Sequence, residues 1–370
     1  MKKNVLITGA AGFLGRNLRE VLGREPDVEL RAYDLSDSEA ALDRHLRDAH
    51  VIFHLAGVNR PQHEAEFDSG NAGATSELCA KLSAMGRRPK LVFSSSVQAV
   101  LDNPYGASKR KAEVALQRFA DEHGAEVAIY RLKNVFGKWC RPNYNSVVAT
   151  FCHNVARKLP IQISDPAREL DLVYVDDVIS AFVGELAEGS PGARFKEIPV
   201  AYRITLGRLA DLVQSFQASR RTLVLPDLSD PFTRKLYATF VSYLPEDGLA
   251  CALERRVDGR GELAEFIKSA PAGQIFVSRT KPGITRGHHF HHTKTEKFLV
   301  LEGDALIRLH RVDCREAQEY RVTGKDLIVV DIPPGYTHCL TNVGQSDLIV
   351  LFWASEVFDP QRPDTYLLEV

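Results

Sequence analysis

The sequence has almost no net charge, no paired cysteines and no long apolar run. Its 47 Lys and Arg face 48 Asp and Glu, a formal net charge of −1. That leaves no electrostatic ground for a nucleic-acid partner or for an acidic membrane surface. No stretch approaches the roughly 18 consecutive apolar residues that a membrane-spanning helix needs. The six cysteines, at 79, 140, 152, 251, 314 and 339, form no CxxC pair. Reduced thiols in a cytoplasmic protein fit this scatter better than a disulfide framework does. The opening Met1-Lys2-Lys3 and the apolar residues after it could pass for a secretory leader. Thr8-Gly9 breaks that run and no cleavage site follows, so it reads as a buried first strand.

What is present centres on Tyr105-Gly106-Ala107-Ser108-Lys109. Residues four apart on a helix share one face, so the Lys109 ammonium is expected beside the Tyr105 phenol, lowering its pKa towards neutrality for general acid–base work. The bland alternative is a surface helix with a solvated Lys, and the surroundings argue against it. A strand over Asn4–Thr8 runs into Gly9-Ala10-Ala11-Gly12-Phe13-Leu14-Gly15, then a helix to about Leu22. A glycine turn between strand and helix lets backbone N–H groups meet a pyrophosphate. A second strand, Glu29–Tyr33, ends at Asp34, placed to accept from a ribose hydroxyl or simply to cap a turn. Further strands are expected over Val51–Leu55, Lys90–Phe93 and Val127–Leu132, with a helix opening at Asn71. Alternating strands and helices make a doubly wound parallel sheet.

In order and spacing, Gly9/Gly12/Gly15, His54-Leu55-Ala56-Gly57, Ser94-Ser95-Ser96, Tyr105/Lys109, Arg131-x-x-Asn134-x-x-Gly137 and Tyr174-Val175-Asp176-Asp177 resemble the extended short-chain dehydrogenase/reductase family. The resemblance implies a Rossmann-type fold, NAD(P) binding and a nucleotide-sugar substrate. Gly9, Gly12, Phe13, Leu14, Gly15, Asp34, Leu55, Ala56, Gly57 and Lys109 would hold the cofactor. Tyr105 would transfer the proton, with Lys109 as its partner and Ser95 or Ser96 as the carbonyl ligand. The segment between the serines and Tyr105 is shorter than is usual in the family, so both serines stay candidates. Sugar 4,6-dehydratases of this family carry an Asp-Glu pair beside the catalytic Ser/Thr. Here Ser94-Ser95-Ser96-Val97-Gln98 has no carboxylate, which leaves reduction or epimerisation. The loop from Lys138 to Asn145 mixes cations, aromatics and amides, suited to a uridine diphosphate. Arg141 and Asn145 in this loop, with Asn134 of the Arg131-x-x-Asn134-x-x-Gly137 motif, are the substrate-binding candidates.

Leu244-Pro245-Glu246-Asp247-Gly248 is a turn-rich break. It divides an expected first domain, 1–245, from a second, 250–370, whose short alternating apolar runs read as an all-β sandwich or barrel. His289 and His291 lie two apart on a strand and share a face. With Glu296 and His338 they make a candidate site for zinc or another first-row divalent metal, against a bland reading of His288–His292 as a polar loop. The runs Gly283-x5-His289-Phe290-His291-x4-Glu296-x6-Gly303 and Pro333-Pro334-Gly335-x-x-His338-x3-Asn342 resemble the paired motifs of the cupin family. The second lacks its leading glycine: Leu327 stands there, which suggests a changed turn.

A reductase followed by a cupin resembles the bifunctional capsule-sugar enzymes along essentially the whole chain. That likeness implies a UDP-linked 4-keto-6-deoxy amino sugar, epimerised at carbon 3 by the cupin and reduced at carbon 4, towards UDP-N-acetyl-L-fucosamine. The candidate bases for epimerisation are His288, His292 and Lys297. The likeness implies NADP(H), whereas Asp34 argues for NAD(H) unless Arg16 or Arg31 supplies a cation. A homodimer in the cytoplasm is expected. The alternative is a plain reductase whose cupin serves dimerisation or ligand binding.

Overall fold

The computed structural model describes residues 2–314 and 316–370. The chain divides into two compact units, Met1–Val213 with Lys235–Leu244, and Gln214–Arg234 with Pro245–Val370. The division differs from a single cut near residue 245. In the second unit Leu225 N–H donates to the Lys268 carbonyl at 2.7 Å and Lys268 N–H to the Leu223 carbonyl at 2.8 Å.

In the first unit six parallel strands form one sheet, in the order Val28–Tyr33, Lys3–Thr8, Val51–His54, Lys90–Ser96, Glu126–Leu132, Gly192–Lys196. Side chains alternate between its faces, and both faces are covered. Leu6, Ile52, Leu91, Phe93, Val127 and Ile129 pack with helices Ala74–Ala84 and Pro104–His123. Val5, Ile7, Phe53, Val92, Ala128 and Tyr130 pack with helices Phe13–Leu22 and Val175–Gly184. Coverage on both sides explains the near-continuous apolar runs. A smaller sheet joins Asn134–Phe136, Glu169–Tyr174 and Tyr202–Thr205. No helix of the described residues is long and apolar enough to cross a membrane.

The two sheets of the second unit are antiparallel. One sheet runs Arg255–Asp258, Gly261–Ser269, Gly273–Thr280, Leu348–Ala354, Glu296–Glu302, Val329–Ile332. The other runs Gln318–Thr323, Asp304–Arg311, Tyr336–Asn342, Thr285–Phe290, Tyr366–Leu367. Phe298, Val300, Ile307, Leu309, Leu340 and Val350 fill the space between them. The fold is thus a Rossmann-type parallel sheet followed by a cupin-type β-barrel. Leu327 itself takes the left-handed conformation, φ 49°. The turn that a glycine would make is therefore kept rather than changed, with a side chain forced into it.

Candidate active site and metal centre

The helix carrying Tyr105 starts where its sequence dictates. Asn103 is its N-cap, accepting from Gly106 N–H at 2.8 Å, and Pro104 opens the first turn. Tyr105 is thereby fixed near the end of strand Lys90–Ser96, which extends through all three serines rather than stopping at Phe93. Alternation separates them. Ser95 follows Phe93 towards the helix, and its buried hydroxyl donates to Glu113 Oε1 at 2.5 Å. Glu113 also receives Arg131 through Nε at 2.9 Å and Nη2 at 2.6 Å. Ser96 instead caps the following turn, accepting from Gln98 N–H at 3.1 Å, and it is the serine that bears on the Tyr105 phenol, favouring its ionised form. Ser95 is therefore a correction to the expected pair: its hydroxyl is taken by Glu113.

Lys109 is buried, and its Nζ donates to the Ser94 carbonyl at 3.1 Å and lies 5.0 Å from the Phe93 ring centre. Burial pulls its ammonium down to about 8, against the opposing pull of Glu113. Tyr105 departs from the expected direction. Burial pushes its phenol up, the Ser96 hydroxyl only partly offsetting this. A low-dielectric setting penalises the phenolate more than the neighbouring groups favour it.

The glycine turn is a cradle with no room for side chains. A Cβ on Gly9, which has φ +71°, would lie 2.7 Å from Ala56 N, and one on Gly15 would lie 2.2 Å from the Gly9 carbonyl oxygen. Gly12 N–H donates to Gly9 O at 3.1 Å. Phe13, Leu14 and Leu55 pack against the core. Such a bare turn at a helix start suits a dinucleotide pyrophosphate. Asp34 closes the turn from the side: both its carboxylate oxygens accept from Ala11 N–H, at 3.1 and 3.0 Å. Of the two cations considered beside it, Arg31 pairs with Asp48, and Arg16 lies over the Trp139 ring at 5.4 Å. Behind the turn, His54 joins Thr8 and Thr75 at 2.8 and 3.0 Å, and burial lowers its pKa to about 3.

Sequence reasoning gave Asn71 no functional weight. It sits within a π-helical turn, Asp68–Gly73, so helical structure begins before the start expected at Asn71. Its buried amide donates to Val58 O and Ser108 Oγ, each at 3.0 Å, and accepts from Val58 N–H at 3.0 Å. A Cβ on Gly57 would meet Asn71 Oδ1 at 2.7 Å and Lys109 Nζ at 3.1 Å. Asn71 and Lys109 thus converge on the expected cofactor-side loop. A π-bulge of this kind often marks a functional site. The three substrate-loop candidates, Asn134, Arg141 and Asn145, are exposed. Asn134 Nδ2 donates to Asp171 O at 3.3 Å, and Arg141 lies 5.0 Å from the Tyr144 ring centre, which Arg60 approaches to 6.0 Å.

In the barrel the four expected ligands come together. The ligand atoms of His289, His291, Glu296 and His338 all lie within 4.8 Å of one another. A bulge between Gly287 and His289 brings His289 opposite His338 in the strand register. Glu296 Oε2 lies 3.4 Å from His291 Nε2 and 3.2 Å from His338 Nε2. Both imidazole nitrogens are buried without a well-formed hydrogen bond. Their Nδ1 atoms face carbonyl oxygens, of Asp364 at 2.5 Å and Tyr336 at 3.3 Å. Bare Nε2 lone pairs, with Nδ1–H held by a carbonyl, are what a metal-ligating imidazole needs. Burial works against ionising Glu296, but His291 and His338 outweigh it and hold its carboxyl at about 2. Burial, then the neighbouring His338, lowers His289 to about 4. The residues fit a divalent metal. The cluster borders a cavity of about 360 Å³, whose wall also includes Arg260, Phe276, Ser278 and Arg286.

The three candidate bases are not among the residues lining that cavity. Lys297 follows Glu296 in the strand, so it points outward, exposed and paired with Asp331. His288 accepts from Val370 N–H at 3.3 Å, and the His292 ring packs edge-on to Tyr366.

A model of the NAD dependent epimerase/dehydratase family matches residues 5–200, and one of the polysaccharide biosynthesis C-terminal domain matches 256–366. A UDP-2-acetamido-2,6-beta-L-arabino-hexul-4-ose reductase of Pseudomonas aeruginosa is 43% identical over 366 residues, covering 99% of this chain and 98% of the relative. The crystal structure of the capsular polysaccharide assembling protein CapF from Staphylococcus aureus is 45% identical, with TM-score 0.92 over 99% of this chain and 100% of that one. A CapF structure with the inhibitor 3-isopropenyl-tropolone is 41% identical, with TM-score 0.88 over the same shares. The chain belongs to the NAD-dependent epimerase/dehydratase family, in the CapF-type arrangement that adds a polysaccharide-biosynthesis C-terminal domain.

Proposed function

We propose that this chain is a two-step enzyme on a UDP-linked 4-keto-6-deoxy amino sugar. The cupin domain, residues 250–370, epimerises carbon 3. The reductase domain, residues 1–245, then reduces the ketone at carbon 4, towards UDP-N-acetyl-L-fucosamine for capsule or O-antigen. One observation carries this reading: a single chain holds both Tyr105, with the buried Lys109 one turn further along its helix, and a three-imidazole, one-carboxylate cluster that borders a cavity. The names of the Pseudomonas relative and of CapF support the substrate class and the pathway.

In the reductase, Gly9, Gly12 and Gly15 would hold the pyrophosphate of NADPH, which when bound would supply the hydride. The Ser96 hydroxyl donates to the carbon-4 carbonyl oxygen. The Tyr105 phenol, kept protonated by burial, delivers its proton as that oxygen becomes an alkoxide. The Lys109 ammonium then offsets the charge left on the phenolate. Asp34, held by Ala11 N–H, steadies the turn, and Arg16 is the cation for a 2′-phosphate. Asn134, Arg141 and Asn145 bind the uridine diphosphate end.

In the cupin, the hydrogen on carbon 3 is acidic because carbon 4 is a ketone. A base takes that proton to leave an enolate, and a proton is then delivered to carbon 3 on the other face; the oxidation state does not change, so this step needs no nicotinamide. His289, His291, Glu296 and His338 would hold a divalent ion, zinc by its donor set, which supplies positive charge to the enolate. Arg260 and Arg286 add fixed positive charge to the cavity wall. We further propose a homodimer in the cytoplasm.

The presence of four protein ligands favours one other reading, in which the metal is structural and the cupin is a dimerisation or ligand-binding module. Product analysis of the UDP-4-keto sugar tests between them. Without NADPH, the two-step enzyme yields the epimerised ketone, and a plain reductase returns the ketone unchanged.

A further inference from the structure

His291 lies one residue beyond the end of strand Thr285–Phe290, so the ladder does not fix its ring. Another segment does. The Asp364 carbonyl accepts from His291 Nδ1–H at 2.5 Å. The Asp364 carboxylate accepts from three consecutive backbone N–H groups of the loop that follows His291. These are His292 to Oδ1 at 2.9 Å, and Thr293 and Lys294 to Oδ2 at 3.0 Å each. Thr293 Oγ1 adds a fourth bond at 3.0 Å. Lys294 Nζ donates to the Pro363 carbonyl at 2.9 Å.

Asp364 adopts φ 40°, a left-handed conformation in which its carboxylate and its carbonyl both serve the same loop. The chain then continues as Tyr366–Leu367, paired with Phe290 and His289. Leu368 is anchored at both ends of its peptide, its N–H donating to His288 O at 2.9 Å and its carbonyl accepting from Thr337 Oγ1 at 2.5 Å. By comparison, His338 Nδ1 faces the Tyr336 carbonyl of its own strand, at the longer distance of 3.3 Å. A carboxylate accepting several backbone N–H groups makes strong, charge-assisted bonds, and residues that orient a ligating imidazole tune metal affinity.

We propose that Asp364 is a positioning residue for the metal centre: by clamping residues 292–294 it brings its own carbonyl to His291 Nδ1 and aims Nε2 into the ligand cluster. The inference rests on reading that cluster as a metal site.

The test uses the full chain and two readouts, zinc affinity by competition with a chromophoric chelator and the visible absorption of the cobalt(II)-loaded protein. Asp364→Ala is expected to weaken zinc about 10- to 100-fold, the usual range for an orienting partner, and to change the cobalt bands. Thr293→Ala, which removes one of the four donors, should weaken zinc a few-fold. Asp359→Ala, a carboxylate five residues away that bonds only within its own turn through Gln361 and Arg362, should bind as wild type does. A folded Asp364→Ala protein with wild-type zinc affinity and unchanged cobalt bands overturns the proposal. If Asp364→Ala does not fold, Asp364→Asn and Thr293→Ala decide, and wild-type affinity in both overturns it equally. A wild-type chain that takes up neither zinc nor cobalt refutes the metal site itself, and the positioning role with it.

Discussion

The Ser95 hydroxyl donates to Glu113 at 2.5 Å, inside a buried cluster that Arg131 completes with two further bonds. Its neighbour Ser96, one residue later on an alternating strand, caps the next turn through Gln98 N–H and bears on the Tyr105 phenol. Two adjacent, chemically identical side chains thus have different settings, one tied to Glu113 and one on the Tyr105 side.

The two serines should separate in mutagenesis. Ser96→Ala is expected to lower kcat about 10²- to 10³-fold, the range for losing one donor to a developing oxyanion. Ser95→Ala should leave kcat within a few-fold and cost about 1–2 kcal/mol of stability, because a buried acceptor loses one of its partners. Steady-state kinetics together with urea unfolding check both. The reverse pattern would return Ser95 to the active site.

Lys109 sets an alkaline limit. Burial lowers its pKa from 10.5 to about 8, so the reductase should lose kcat/KM as pH rises through about 8. The linked stability has the opposite sign. Between pH 8 and 10.5 the unfolded chain keeps a proton that the folded chain has released, so this residue's contribution rises with pH there. Below pH 8, burying the charge costs stability in full. Comparing wild type with Lys109→Met in urea unfolding at pH 7.5 and 9.5 should show the difference move in favour of wild type at the higher pH.

Cofactor choice follows from Asp34 and Arg16. NADPH is expected to give the higher kcat/KM. Asp34→Ala releases the Ala11 N–H that both carboxylate oxygens hold, and should weaken NADH more than NADPH. A wild-type preference for NADH would reverse this assignment.

Leu327 offers a stability test away from both sites. It is exposed and sits at φ 49°. Leu327→Gly should therefore stabilise the protein by about 1 kcal/mol, the relief of a left-handed conformation exceeding the small loss of burial. Thermal unfolding monitored by circular dichroism would reveal it.

Much of this architecture is legible in the sequence, because it rests on local rules. The strand–glycine–helix order, the two-residue spacing of His289 and His291, and the Pro104 helix start all follow from neighbours in the chain. Lys297 could also have been set aside from sequence, since it adjoins the inward Glu296 on one strand. The choice between Ser95 and Ser96 could not, because it depends on where strand Lys90–Ser96 ends and on Glu113, 18 residues further on. The direction of the Tyr105 shift depends on burial, which a four-residue spacing does not reveal. Asp364 is the extreme case: it reaches His291 across 73 residues, and no short pattern links them. The contact of Leu223–Leu225 with Lys268 is likewise visible only in three dimensions.

The division of labour between the two sites is tested most directly by deuterium exchange at carbon 3 of the UDP-4-keto sugar. It is followed by NMR in deuterated water with the full chain and no nicotinamide. Wild type and Tyr105→Phe should both exchange the carbon-3 proton, and His338→Ala should not. With NADPH and the epimerised ketone supplied, His338→Ala should still reduce and Tyr105→Phe should not. Persistence of the carbon-3 signal with folded, metal-loaded wild type, or its loss with His338→Ala, would contradict the two-step account.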